Sequence, residues 1–148
     1  MKDNPAKAFL RRYTALCGRV DALQRAIDDA MQRAMNTSII LKEIRVLSSP
    51  AEHDPMAKDV CTAVDVCEIL YAEKGKAQDA LREILQAIDS LKDERQKEVL
   101  TRRYITGQTF PDICDGMHYE KTQVFVIHGR ALVQVNKWLE KGGAKKYA

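Results

Sequence analysis

A chain of 148 residues, 45% hydrophobic and 30% charged with a formal net charge of +3, fits one medium domain or a helical stalk carrying a small one. No stretch approaches the ~18 uninterrupted apolar residues of a membrane span. The opening MKDNPAKAFLRRY also lacks the apolar run of a signal peptide, so the chain reads as cytoplasmic, without a membrane partner.

Asn4 before Pro5 predicts a helix start. From there Phe9, Tyr13, Leu16, Val20, Leu23 and Ile27 step by three and four along one face, continued by Ala30 and Ala34. Asn36, Thr37 and Ser38 are points for fraying or a break. Ile39 to Leu41, with Ile44 and Leu47, either continue the helix or pack back on it. SSPAEHDP, Ser48 to Pro55, is a connection between helices.

The next pattern runs from Pro55, with Val60, Val64, Cys67 and Tyr71 on one stripe. After Gly75 it recovers in phase at Leu81, Leu85 and Ile88, so one helix over 56–90 competes with two shorter ones. Two long amphipathic helices joined by a proline-rich turn form an antiparallel hairpin or stalk over residues 1–90. Their wide apolar edges suit coiled-coil-like homo-oligomerisation, with a homodimer expected. Cys17 and Cys67 are expected as buried free thiols.

LKDERQKEVLTRRYI, Leu91 to Ile105, is amphipathic, and Gly107 suits a left-handed C-terminal cap. In TFPDICDGM, Thr109 caps, Asp112 completes a capping box and Pro111 occupies the first turn. Gly116 then supplies the turn's unusual backbone angles. A longer helix follows, with Val124, Ile127, Ala131 and Val135 at helical spacing. A short helix, a tight turn and a longer helix, braced by a preceding helix, make a helix-turn-helix over 91–141, leaving 142–148 as a flexible basic tail.

Charge agrees with that division. Residues 1–90 carry 13 Lys/Arg against 14 Asp/Glu, whereas 91–148 carry 11 against 7. A basic third is compatible with nucleic acid, and equally with a solubilising surface.

The segment LKDERQKEVLTRRYITGQTFPDICDGMHYEKTQVFVIHGRAL resembles the fourth conserved region of bacterial sigma factors. Leu100, Arg103 and Tyr104 match its first helix, Thr109, Asp112 and Ile113 the second, and Val124, Ile127, Ala131 and Leu132 the third, with Cys114 in place of the usual alanine. The whole chain is similar to small phage and prophage proteins, some of the ArpU and RinA kind, which are regarded as late-gene activators. The resemblance implies an all-α fold, double-stranded DNA as partner, and contact with host RNA polymerase. It departs where the family has charged and polar residues: here Phe125 and Val126 flank the start of the last helix.

Candidate base contacts are Lys121, Thr122, Gln123, Phe125 and Val126. Gln suits adenine, Lys suits guanine or phosphate, and apolar side chains suit thymine methyls. Arg102, His118, His128, Arg130 and Lys137 are candidate phosphate contacts. Arg103 is expected instead in an ion pair with Asp112 or Glu98. Lys141, Lys145 and Lys146 form a solubilising basic end. The expected module core is Leu100, Tyr104, Ile113, Met117, Val124, Ile127, Ala131 and Leu132.

No phosphate-cradling loop, HExxH or nucleophile–base pair is evident, so neither an enzyme nor a cofactor is expected. Gly116 and the turn separate Cys114 from His118, which argues against a metal. The function expected is sequence-specific transcriptional regulation of phage or prophage genes. A protein-interaction adaptor using Phe125 and Val126 is the alternative, and a phage DNA-packaging accessory protein is a third.

Overall fold

Asn4 opens the first helix through its own polar groups. Its Oδ1 accepts the Ala6 N–H at 3.1 Å, and its backbone carbonyl accepts the Ala8 N–H at 3.0 Å. The computed structural model describes residues 4–47 and 55–142, with side chains described except at 38, 41, 44–47, 55–61 and 63. Most of the expected connection, Ser48 to Asp54, and the tail from 143 with Lys145 and Lys146 lie outside the described residues.

All regular structure among the described residues is helical: α1 Pro5–Leu47, α2 Pro55–Asp89, α3 Glu94–Leu100, α4 Phe110–Met117 and α5 Lys121–Glu140. None is long and apolar enough to cross a membrane. α1 passes Asn36–Ser38 unbroken. The Thr37 hydroxyl donates to the Arg33 carbonyl at 2.8 Å, so its polar group is satisfied without leaving the helix. α2 is one helix through Gly75. A single internal glycine costs about 1 kcal/mol, less than burial of the side chains beyond it returns. Its stripe there is rotated from the expected one: Ala80, Ile84, Ala87 and Ile88 are buried, while Leu85 is exposed.

The helices group into two compact units, Met1–Cys17 with Gln78–Ala148, and Gly18–Ala77. In the first unit, Ala6, Phe9 and Leu10 of α1 share a core with Ile84, Ala87 and Ile88 of α2, Leu100 of α3 and Ala131, Leu132 and Val135 of α5. A polar tie accompanies it: Asn136 of α5 accepts the Ala6 N–H at 2.9 Å and donates to Asn4 Oδ1 at 3.0 Å. Residues 132 apart therefore cap one helix together. A second cluster joins Val99, Ile113 and Val124, with Phe110, Met117 and Ile127 packed against it. Adjacent residues Val99 and Leu100 enter different clusters, so the end of α3 links both.

In the second unit, Ile27, Cys67 and Ala77 are buried. Arg19 pairs with Glu73 at 3.3 Å, Lys74 donates to Gln24, and the Tyr71 hydroxyl lies 3.9 Å from Met31 Sδ. Cys17, Cys67 and Cys114 are free thiols, Cys67 buried and the other two half-buried.

The segment expected as one helix over Leu91–Ile105 is more elaborate. Asp93 accepts the Arg95 N–H at 2.9 Å and starts α3 at Glu94. After Leu100 the coil widens into a π turn over Thr101–Ile105, closed by Thr106 N–H to the Thr101 carbonyl at 2.9 Å. A π turn shifts side-chain phase by one residue. Tyr104 within the turn is in the core, four residues after Leu100 and 6% exposed. Gly107 follows at φ 79°, the left-handed conformation its position suggested.

Candidate nucleic-acid interface

α4 starts where its sequence says. Thr109 Oγ1 accepts the Asp112 N–H at 3.4 Å, and Asp112 Oδ2 accepts the Thr109 N–H at 3.3 Å, with Pro111 in the first turn. This reciprocal box fixes the entry to α4. Thr109→Ala removes one half and is expected to lower unfolding free energy by about 1 kcal/mol. Chemical denaturation checks it, and an unchanged midpoint would show the cap to be idle.

The turn after α4 differs from expectation. Gly116 lies inside α4, and the left-handed residue is His118, at φ 58° and ψ 40°. The helix closes at His118 because the N–H groups of His118 and Tyr119 both reach the Cys114 carbonyl, the latter at 3.1 Å. A Cβ on Gly116 would sit 2.5 Å from Arg102 Nη1, so the glycine makes room for a guanidinium lying on the helix. Arg102 is held there by Glu98, at 3.0 Å from Nε and 2.9 Å from Nη2, and reaches Gln108 Oε1 at 3.4 Å. It therefore takes the Glu98 pair that Arg103 was expected to make. Arg103 donates to the Gln108 carbonyl at 3.2 Å and covers the Phe110 ring at 4.6 Å.

α5 begins after Glu120, whose backbone N–H donates to Gln123 Oε1 at 3.1 Å. Val124, His128, Ala131, Leu132 and Val135 form its buried face, with Ile127 half-buried. Lys121, Thr122, Gln123, Phe125 and Val126 are exposed together at its N-terminal end. Of the expected module core, Leu100, Tyr104, Ile113, Val124, Ala131 and Leu132 are buried, and Met117 and Ile127 half-buried. Phe125 and Val126 are 43% and 45% exposed. Phe125 nevertheless has neighbours: its ring centroid is 4.9 Å from that of Phe110, and Lys121 Nζ is 5.7 Å from its own. Beside this end, Arg95, Tyr119, Thr122, Gln123, Val126 and Ile127 line a shallow depression of about 230 Å³.

The candidate phosphate contacts scatter. His118 is exposed in the turn and Arg130 on α5. Lys137 is exposed too, but sixteen residues beyond Lys121 puts it ~24 Å away along α5. His128, expected at a phosphate, is 8% exposed, with Nε2 2.9 Å from the Tyr104 hydroxyl. Burial, reinforced by the charges of Lys7 and Arg103, pushes its pKa down to about 4, so it is neutral at pH 7. Burial also raises the Tyr104 pKa, against the opposing charges of Arg103 and Arg11.

Sequence reasoning passed over Phe110. Its ring meets Phe125, carries Arg103 and sits edge-on to His128 at 5.2 Å. A large aromatic directly after a capping Thr was the available signal. No family model, no curated protein and no solved structure matches this chain.

Proposed function

We propose that the protein is a sequence-specific duplex-DNA-binding regulator of the phage or prophage kind. In this reading α4, the turn at His118 and α5 work as a helix-turn-helix, with α1 and α2 as a helical hairpin that pairs two such modules. The observation that carries it is the N-terminal end of α5. Lys121, Thr122, Gln123, Phe125 and Val126 are exposed there around a buried Val124 that anchors the helix. A helix presented in this way fits the major groove, and its first turns reach base edges.

The chemistry divides by residue. Gln123 Oε1 already accepts the Glu120 N–H, but an amide oxygen has two lone pairs, so adenine recognition is compatible with the cap. Phe125 and Val126 suit thymine methyls. Lys121 and Arg130 are exposed cations suited to phosphates, whereas Arg102 is already neutralised by Glu98. A paired protein would read two half-sites, which compensates for few polar contacts per module. Host RNA polymerase is the further partner in this reading.

The test is duplex binding across a range of salt. Lys121→Gln with Arg130→Gln should weaken retention about tenfold and reduce the slope of log K against log salt by about 0.9 for each phosphate no longer neutralised. Intact protein that fails to hold any duplex at low salt would end this reading. The depression beside Val126, with Phe125 nearby, favours a second one, in which the same end of α5 docks a protein. Salt-insensitive binding to a protein, and none to duplex, would select it.

A further inference from the structure

The unit Gly18–Ala77 is poorly filled for its size. Among the described residues it holds three of the nineteen buried hydrophobics, yet eight of the twelve large hydrophobics left exposed. Several of these form one surface. Met31, Met35 and Ile39 follow at steps of four on α1, and Val64 and Tyr71 are seven apart on α2. The Tyr71 hydroxyl touches Met31 Sδ at 3.9 Å, which joins the two rows into one strip. Their exposures run from 47% to 64%. We infer that this strip is covered by the same strip of a second copy, giving a two-fold four-helix dimer.

Area supports that occupant. The five side chains expose on the order of 500 Å², close to the apolar share of the ~800 Å² that each partner buries in a standard interface. It is also at the upper end of what a monomer leaves uncovered. The chain's own undescribed segments, 1–3, 48–54 and 143–148, contain only Met1 and Tyr147 as large apolar residues, too few to cover it. Residues 18–77 carry eight Lys/Arg and ten Asp/Glu, so two copies meet without strong repulsion, and no oppositely charged partner is called for. An isologous pairing buries both strips in one contact and closes there, unlike a head-to-tail contact. Two pairs of long helices then surround a shared interior.

Such a dimer supplies a surface for the pairing used in the DNA reading, but its test needs no DNA. Sedimentation and light scattering of the full chain, over a hundredfold concentration range, should show mass rising from 16.8 kDa to twice that. Met35→Glu with Ile39→Glu changes two exposed residues and should weaken self-association roughly 100-fold while circular dichroism retains its helical signal. Phe125→Ser, outside the strip, should leave the mass unchanged. A chain that stays at 16.8 kDa throughout, a double variant that still pairs normally, or a ring of many copies would each overturn the proposal. A dimer that ignores DNA would leave this surface standing and remove the regulator reading. DNA retention by a strictly monomeric chain would do the reverse.

Discussion

Leu100→Ala should lower unfolding free energy by about 2–5 kcal/mol, the largest single effect expected in the C-terminal region. Leu100 is fully buried and packs with residues of α1, α2 and α5, while Val99 beside it belongs to the other cluster. Truncation removes apolar burial and leaves a cavity that four converging elements cannot readily collapse. Against a typical total of roughly 5–15 kcal/mol, the loss threatens the whole unit. Val133→Ala, at a half-exposed position on α5, is the control and should change stability by less than about 0.5 kcal/mol. Urea denaturation at one fixed protein concentration compares them. Equal midpoints for the two variants would contradict the packing of α3 between the clusters.

Acid should destabilise the protein through His128 in a defined window. An unfolded histidine titrates near pH 6.5, whereas His128 in the folded chain titrates at about 4. Between those values the unfolded chain gains a proton that the native site refuses, so stability falls as pH drops from about 6.5 to 4. Above that window the group adds no pH dependence, and below it both states are protonated. The loss is up to about 3 kcal/mol across the full window. His128→Phe should flatten the slope, most visibly between about pH 5 and 6.5, before most carboxylates titrate. Parallel slopes for the two proteins would mean that His128 is solvated, and would restore it as a phosphate ligand.

These two effects arise from residues that the sequence ranked very differently. Leu100 was legible as core because it stands at the end of a helical apolar pattern. His128 was not: it stands four after Val124 and three before Ala131, on their stripe, but an ionisable ring suggested a ligand rather than a core position. It lies on the buried face of α5 with Val124, Ala131 and Val135, and Tyr104, in the π turn over Thr101–Ile105, meets it at 2.9 Å. No local residue choice announced that turn. The arginines show the same limit. Spacing identified Glu98 as an ion-pair partner, but Arg102 holds it at the ordinary helical step of four, while Arg103 turns to the Gln108 carbonyl and the Phe110 ring.

Short-range features were determined by the sequence alone. The cap at Asn4, the box of Thr109 and Asp112, the left-handed Gly107 and the helical character of every described element depend on groups a few residues apart. Tertiary structure decided what those elements meet. It set Gly116 against Arg102, and it joined Asn4 to Asn136. Capping and periodicity are satisfied within one or two helical turns, so they can be read along the chain. Burial and charge pairing are satisfied across space, and only the packed molecule chooses between partners that the sequence leaves equivalent.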